Sequence, residues 1–306
     1  GTPSFYGAKR LKELLAAIHK LFQIEKGAEI TVECNPDSVD LRALRILRNT
    51  GVNRLSLGMQ SAQAEELAAI HRIHTPHQTD HATELARKAK FNNLSLDLIY
   101  GLPGQTMDSW KATVEHALSL IPQHLSCYGL KVEEGTPLAR RVAEGEVLPD
   151  DDQQADLYLW TVGRLARAGY PQYEISNFAR PGYEGKHNLI YWDCGDYLGI
   201  GPAAHSCMGG KRFYYPADTE AFLRDEAAPV MDGGCGAEDY LILQLRLRKG
   251  LSLDEYKKRY GREFSTAQLA FVKNCVKSGY ANFDGHTLAL TPAGLIVQNS
   301  ILAELL

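Results

Sequence analysis

Residues 94–106 have the sequence LSLDLIYGLPGQT, and this stretch indicates the fold. Its leucines alternate with Ser95 and Asp97, so an extended strand here has one apolar face and one face that carries Asp97. A turn rich in glycine and proline follows, and a helical pattern then runs over residues 107–120. This order of strand, turn and helix predicts a β-α unit in which Asp97 points to the interior of a barrel.

The same cycle recurs along the first two thirds of the chain. Strands are predicted at 29–34, 53–57, 94–100, 124–130 and 172–175, and helices at 7–22, 41–47, 64–71, 79–90, 107–120 and 152–168. Strands joined by helices pair in parallel through right-handed crossovers. We therefore predict an α/β domain over residues 1–216, a full or partial (β/α) barrel. No GxGxxG motif follows the first strand, which gives dinucleotide binding little support.

The pattern changes after residue 216. An acidic, glycine-containing connection is expected over 218–236, followed by helices at 238–247, 253–260 and 265–278, a hairpin near 284–285 and a final helix at 293–306. This order predicts a small winged-helix-like α+β domain over residues 217–306. Its basic residues (Arg246, Arg248, Lys249, Lys257, Lys258, Arg259 and Arg262) are expected on a solvated helix face.

Composition narrows the classes of function. The 306 residues carry 33 basic and 37 acidic side chains, a net charge of −4, which disfavours a nucleic-acid partner. No apolar run reaches the length of a membrane span. The six cysteines are widely spaced and contain no CxxC pair, so they predict a reducing, cytoplasmic location without a disulfide framework.

Polar side chains gather at the ends of the predicted strands. In a parallel barrel, ligands bind at the rim formed by the carboxyl ends of the strands. Carboxylate, amide or ammonium groups fall at or near that rim after four strands: Glu33, Asn35, Gln60, Asp97, Lys131, Glu133 and Glu134. We expect a polar ligand with hydroxyls and charges at this rim. His71, His74, His77 and His81 are instead expected as exposed loop residues, because Pro76 interrupts them.

The segment KHNLIYWDCGDYLGI at 186–200 combines a histidine with several aromatic residues. Such a group can coordinate or stack on a flat apolar ligand such as a tetrapyrrole. The alternative is a half-buried loop whose polar tips are hydrogen-bonded. Cys194 and Cys207 flank a glycine-rich stretch and are expected to be inert buried thiols.

The sequence resembles the radical S-adenosylmethionine proteins, and more narrowly the oxygen-independent coproporphyrinogen III oxidase-like family and its haem-chaperone branch. The resemblance covers nearly the whole chain, in order, through eight motifs: GTPS (1–4), VECNP (32–36), LGMQS (57–61), IHRIHT (70–75), LDLIYGLPGQT (96–106), YEISNFARPG (173–182), HNLIYW (187–192) and YLGIGPAAHS (197–206). It implies a partial barrel of the radical S-adenosylmethionine type with a winged-helix-like C-terminal domain.

The resemblance also implies two cofactors, S-adenosylmethionine and a [4Fe-4S] cluster. Arg72 would pair with the methionyl carboxylate, a task that suits a guanidinium fork. Asp97 would accept hydrogen bonds from the ribose hydroxyls. The residues implied to contact S-adenosylmethionine are Gly1, Thr2, Glu33, Gln60, Arg72 and Asp97.

One departure from the family concerns the cluster. The family holds it with three cysteines spaced CxxxCxxC upstream of the motif that ends at Gly1 and Thr2, and none of the six cysteines here has that spacing. We therefore expect no metal ligands or catalytic residues in this chain as given. We interpret it as a form shortened at its N-terminus.

A second departure separates chaperone from enzyme. The decarboxylating enzymes have Tyr-x-His after the fourth strand, where this chain has Leu130 in place of the histidine. The HNxxYW motif is typical of the chaperone branch, so the resemblance implies haem contact by His187, Asn188, Tyr191 and Trp192. It favours haem binding and transfer to a haem-acceptor protein, which could be a membrane protein. The alternatives are oxidative decarboxylation of coproporphyrinogen III to protoporphyrinogen IX, and an inactive remnant.

Overall fold

A computed structural model describes residues 2–306, which form two compact units. The first unit comprises the chain up to Gln172 together with Ser176–Glu184, and the second comprises Tyr173–Ile175 and Gly185–Leu306. This division follows contacts within each unit and falls earlier than the predicted boundary at residues 216 and 217. That boundary stays a prediction.

The first unit alternates strands and helices, as the sequence predicts. Its strands are β1 (Thr31–Cys34), β2 (Arg54–Gln60), β3 (Leu94–Tyr100), β4 (His124–Gly129) and β5 (Asn177–Ala179). Its helices are α1 (Ala8–Leu21), α2 (Leu41–Asn49), α3 (Ala64–Ala69), α4 (Pro76–Lys88), α5 (Met107–Ser119), α6 (Pro137–Ala143) and α7 (Asp151–Arg167), with short 3-10 turns at Pro3–Tyr6 and Pro36–Ser38.

The five strands form one sheet in the order β1-β2-β3-β4-β5. Strands β1 to β4 are parallel, which confirms the α/β class, whereas β5 runs antiparallel to β4. The predicted strand at 172–175 is wrong, because Gln172 makes only an isolated antiparallel bridge to Phe178. The chain reverses direction between Gln172 and Phe178. The segment after this reversal, β5, is the one that pairs with β4.

Side-chain caps begin the crossover helices at defined residues. Asp40 accepts a hydrogen bond from the Ala43 amide at 2.6 Å at the start of α2. Reciprocal capping boxes start at Thr75 for α4, Thr106 for α5 and Asp150 for α7. Each cap satisfies amide donors that would otherwise have no partner, and so fixes where the chain turns from loop to helix after a strand.

The second unit contains a three-stranded sheet that the sequence did not predict. Its strands β6 (His205–Met208), β7 (Lys211–Tyr214) and β8 (Val230–Gly234) are antiparallel, in the order β6-β7-β8. Helix α8 (Lys186–Trp192) precedes these strands in sequence, and α9 (Thr219–Leu223) lies between β7 and β8. The expected plain connection over 218–236 is therefore wrong, since it holds α9 and β8.

The remainder of this unit has the predicted winged-helix order, except that the single final helix predicted at 293–306 is broken at Val297. The helices are α10 (Ala237–Gln244), α11 (Leu253–Tyr260), α12 (Thr266–Lys277), α13 (Pro292–Ile296) and α14 (Gln298–Leu305), and the strands are β9 (Leu251–Ser252), β10 (Ala281–Phe283) and β11 (Thr287–Leu290). Strand β11 pairs antiparallel with both β10 and β9, so the three strands form one small sheet in the order β10-β11-β9. Within residues 2–306, no helix is both long and apolar enough to cross a membrane.

Candidate functional site

The parallel sheet of the first unit has one apolar face and one polar face. Alternation along the strands places leucines of β2, β3 and β4 in the hydrophobic core beneath the crossover helices. The opposite face, called the polar face below, carries Arg54, Ser56, Ser95, Asp97, His124 and Ser126. Burying so many polar groups without partners would cost stability, so their hydrogen bonds indicate what the face is built to do.

Asp97 is the centre of the polar face. Its carboxylate accepts hydrogen bonds from the hydroxyls of Ser56 at 2.7 Å and Ser95 at 3.4 Å, and Ser126 is a third donor. Burial raises the pKa of Asp97, while the hydroxyls of Ser126 and Ser56 and the charge of Arg54 oppose that rise. The prediction that Asp97 lies on the face opposite the leucines of β3 is confirmed.

The beginnings of the strands close the lower end of this face. The Nδ1 atom of His124 lies 2.8 Å from the hydroxyl of Ser95. Burial, and then the charge of Arg54, hold the pKa of His124 well below its ordinary value, so the imidazole is neutral at pH 7. The buried Nε of Arg54 has no hydrogen-bond partner among the described residues.

Residues at the carboxyl ends of β1 and β2 meet at the rim. Nη1 of Arg72 donates a hydrogen bond to Oδ1 of Asn35 at 3.4 Å. A side chain at Gly58 would place its Cβ 2.8 Å from Nε2 of Gln60 and 3.7 Å from Oδ1 of Asn35, so the Gln60 amide would have to move to admit it. Gln60 itself has a left-handed φ of 63° beside a register shift in β2. Arg72 thus lies against Asn35, just after β1, and Gln60 ends the neighbouring strand β2.

The N-terminal segment is anchored to the same rim. The hydroxyl of Ser4 accepts a hydrogen bond from the Asn35 amide at 3.1 Å and lies 2.5 Å from the hydroxyl of Ser38. The carbonyl of Thr2 accepts from the Phe5 amide at 3.1 Å, which starts the first 3-10 turn. Glu33 is exposed on β1, in register with Ser56. Gly1, also predicted to contact S-adenosylmethionine, lies outside the described residues.

A buried carboxylate that the sequence did not reveal ties two rim loops together. Glu66 on α3 accepts hydrogen bonds from Ser61 at 2.5 Å, Ser109 at 2.6 Å and Nε2 of Gln105 at 3.0 Å. Gln105 in turn accepts from the Gly101 amide at 2.7 Å. The loop after β2 is therefore fixed to the loop after β3. Glu66 lies in the ordinary helical sequence AEELAA, so no local pattern distinguishes it.

A second candidate site lies on α8 in the second unit. Residues 186–192 are helical, so the loop considered as an alternative for 186–200 is wrong over that part. His187 and Tyr191, four residues apart, lie on one helix face, where the Tyr191 hydroxyl is 2.7 Å from Nε2 of His187. The Tyr191 ring also packs edge-on against Tyr197, with centroids 4.4 Å apart. These three residues are called the His187 cluster below; within it, the imidazole of His187 is exposed.

Trp192 does not share that face. The guanidinium of Arg246 lies 4.7 Å from the centre of its ring, and Gln244 donates a hydrogen bond to its carbonyl at 2.8 Å. The buried indole nitrogen of Trp192 has no hydrogen-bond partner among the described residues. Asn188 is half-buried between the two faces. Of the four predicted haem contacts, the structure therefore brings His187 and Tyr191 together and turns Trp192 toward Arg246.

The structure also locates the remaining sequence candidates. His74 is buried, with Nε2 3.1 Å from the Met59 carbonyl, so its predicted exposure is wrong. Lys131 and Glu133 are exposed and pair with each other at 2.8 Å. Most basic residues of the winged-helix part have partners within their own unit. Arg259, for example, bonds to Glu255 at 2.8 Å.

Two known protein families match parts of the chain. The chain matches the radical SAM superfamily over residues 1–117 and the HemN C-terminal domain over residues 237–297. The fold matches the solved coproporphyrinogen III oxidase HemN of Escherichia coli, with a TM-score of 0.84 at 23% identity over 100% of this chain and 76% of that one. The chain is thus a radical S-adenosylmethionine protein by class, a membership that implies S-adenosylmethionine and a [4Fe-4S] cluster.

Similar curated proteins define the family more closely. The heme chaperone HemW of Lactococcus lactis is 33% identical over 100% of this chain and 83% of its own length. The heme chaperone HemW of Mycobacterium tuberculosis strain H37Rv is 37% identical over 100% of this chain and 79% of its own length. The chain belongs to the family of the haem chaperone HemW.

Proposed function

We propose that the protein binds haem at the His187 cluster and passes it to a haem-acceptor protein. The observation that carries this proposal is the exposed imidazole of His187 held against the edge of Tyr191, with Tyr197 behind it. A histidine nitrogen is a common axial ligand of haem iron, and aromatic edges suit contact with a flat macrocycle. Ligands on an exposed helix face, and not in a closed pocket, favour release to a partner.

The hydrogen bond between Tyr191 and His187 bears directly on iron binding. The Tyr191 hydroxyl occupies Nε2 of His187, so that contact must break before Nε2 can bind iron. Exchange of one hydrogen bond of about 1 kcal/mol is a small cost compared with an iron–nitrogen bond. The haem-free and haem-bound forms then differ in whether Nε2 of His187 contacts the Tyr191 hydroxyl or binds iron.

A visible-absorption titration with haem tests the proposal. We expect a saturable Soret shift with the wild type, its loss in His187→Ala and its retention in His286→Ala. His286 is an exposed histidine of the same unit that lies 3.1 Å from Asp254, away from α8. Equal titration curves for His187→Ala and His286→Ala would mean that haem binds elsewhere.

For S-adenosylmethionine, we propose the polar face and rim of the first unit. Arg72 would hold the methionyl carboxylate, and Asp97 would accept from the ribose hydroxyls, since a carboxylate has about four acceptor positions and the serines do not fill them all. Thr2, Glu33 and Gln60 would complete the contacts, with Gly1 beyond the described part. S-adenosylmethionine, held with the cluster, supplies radical chemistry when bound.

The described residues do not supply the ligands of that cluster. Within residues 2–306, no group of three histidine, cysteine or acidic side chains is arranged to hold a metal ion. The structure therefore supports the S-adenosylmethionine proposal only through the polar face and the rim. Isothermal titration with S-adenosylmethionine tests it. We expect roughly tenfold weaker binding in Arg72→Gln and none of that loss in Arg42→Gln, an exposed arginine of α2.

The alternative function, oxidative decarboxylation of coproporphyrinogen III, has less support. The fold of the Escherichia coli oxidase is shared, but Leu130 follows β4 where the resemblance of that enzyme class implies a histidine. The alkyl side chain of Leu130 can neither bind a substrate carboxylate nor move a proton. Incubation with coproporphyrinogen III should therefore give no protoporphyrinogen, and its formation would reverse this preference.

A further inference from the structure

Three of the six cysteines lie together in the second unit. The sulfur of Cys207 is 3.5 Å from that of Cys235, and Cys235 also exchanges a hydrogen bond with Cys194. The thiols belong to separate segments: Cys194 follows α8, Cys207 lies on β6, and Cys235 follows β8. The sequence separation of Cys207 and Cys235, 28 residues, gives no hint of this contact.

The backbone holds the two closest sulfurs in place. Cys207 exchanges both backbone hydrogen bonds with Tyr197, at 2.8 and 2.9 Å, and its side chain is fully buried. The Cys235 amide donates to the Gly210 carbonyl at 3.1 Å, just beyond the point where β8 leaves β7. A disulfide needs the sulfurs about 1.5 Å closer than they are. Side-chain rotation at the less constrained Cys235 can supply much of that distance.

One of the two sulfurs is open to small reagents. Cys235 is partly exposed and lines a cavity of about 190 Å³ whose other walls are Tyr191, Tyr197, Arg212, Asp239, Ile242 and Leu243. Cys207 is fully buried, and its sulfur is in contact with that of Cys235. The geometry therefore sets the order in which the thiols react: Cys235 meets a reagent first, and Cys207 second.

We propose that Cys207 and Cys235 form an internal disulfide by exchange with a low-molecular-weight disulfide. The Cys235 thiol loses its proton to solvent and its thiolate attacks one sulfur of the reagent. The reagent's S–S bond breaks and its first half leaves as a thiol after taking a proton. Cys207, deprotonated in turn, attacks the Cys235 sulfur of this mixed disulfide and releases the second thiol. Two protein thiols are thereby oxidised, and the reagent is reduced to two thiols.

The surroundings make this exchange slow at neutral pH and faster in base. Burial raises the pKa of Cys207 to about 11, with Asp196 also raising it and Arg212 lowering it. Burial raises the pKa of Cys235, and Asp239 adds to that rise. The other titratable groups facing the thiols are Cys194, Tyr197 and Tyr260. Because the thiolate is the nucleophile, we expect the rate to rise as much as tenfold per pH unit below these pKa values.

Peptide mapping of the full chain tests the proposal. The protein is incubated with bis(2-hydroxyethyl) disulfide at pH 7 and pH 8.5, remaining thiols are alkylated, and linked peptides are identified by mass spectrometry. We expect the Cys207–Cys235 peptide in the wild type, faster at the higher pH. It should also form in Cys194→Ser and in Cys275→Ser, which changes a buried cysteine of α12.

Two further variants distinguish the order of attack. Cys207→Ser should leave Cys235 as a mixed disulfide with the reagent or linked to Cys194. Cys235→Ser should leave Cys207 unmodified, because Cys207 is fully buried. Since Cys235 is partly exposed, this second variant is informative even if Cys207→Ser fails to fold. A wild type that gives mainly a Cys194–Cys235 link, only mixed disulfides or no oxidation would overturn the proposal.

Discussion

The polar face of the first unit and the His187 cluster of the second unit hold their side chains in opposite ways. On the polar face, Asp97 has three hydroxyl donors, and Ser95 also contacts His124. In the His187 cluster, one hydrogen bond and two edge-on ring contacts fix a histidine that remains exposed. A preorganised buried site suits a ligand that is held in one geometry. A lightly fixed, exposed site suits a ligand that is taken up and then given away.

The largest expected effect is a loss of stability at the rim of the first unit. Glu66→Ala removes a buried carboxylate that accepts three hydrogen bonds. The donor groups of Ser61, Gln105 and Ser109 then lose their acceptor. We expect a loss of about 3 kcal/mol in the free energy of unfolding, measured by urea denaturation. The matched control is Glu65→Ala, an exposed neighbour on α3, with an expected change within about 0.5 kcal/mol. Equal effects would mean that the rim loops do not depend on Glu66.

The pH dependence of stability tests the end of the polar face where the strands begin. Because the folded pKa of His124 lies well below its unfolded value near 6.5, the unfolded state binds the proton first. The stability from neutral His124 is present above pH 6.5 and is lost as pH falls below it, at up to about 1.4 kcal/mol per unit. Urea midpoints of His124→Gln should fall less between pH 7 and pH 5 than those of the wild type. Parallel curves would contradict the assignment of a neutral buried imidazole.

A smaller effect is expected in the His187 cluster. Tyr191→Phe keeps the ring contact with Tyr197 but removes the hydroxyl that occupies Nε2 of His187. On the proposed function, haem affinity should rise roughly fivefold, which corresponds to one hydrogen bond of about 1 kcal/mol, while unfolding stability stays nearly constant. Soret titrations of this variant and of Tyr197→Phe measure the difference. An unchanged or weaker affinity would argue against Nε2 as the iron ligand.

The smallest effect concerns the opposite side of α8. Arg246→Gln removes the guanidinium above the ring of Trp192. We expect a loss of about 0.5–1 kcal/mol in unfolding free energy, since a partly exposed cation–π contact contributes about that much. Lys249→Gln, at an exposed position nearby in sequence, should change nothing measurable. If the two variants unfold alike, α8 is held by its other contacts.

Periodicity predicted the parts of the fold in which one local rule decides the structure. The parallel strands β1 to β4, the helices between them and the winged-helix order all follow from spacing of apolar residues and from turn residues. The same rule placed Gln60 just after the second strand and Asp97 on the face of the third strand opposite its leucines. Arg72 came only from the resemblance, because it lies in an irregular segment between α3 and α4.

The features that sequence reasoning missed depend on contacts between distant segments. β5 is antiparallel because the chain reverses between Gln172 and Phe178, and strands this short carry no alternation to show their direction. The sheet β6-β7-β8 likewise has strands of four or five residues. Glu66 and the pair Cys207–Cys235 gain their surroundings only after folding, so their positions in sequence look ordinary.

The order of strands in the first unit bears on how the chain acquires its structure during synthesis. Each strand of the sheet pairs with the strand made immediately before it, from β1 through β5. No strand has to wait for a later one to be inserted between it and its neighbour. The sheet can therefore grow from one edge as the chain leaves the ribosome, with each new strand and helix covering the apolar surface left by the last. Only β5, which forms after α6 and α7, completes the edge late.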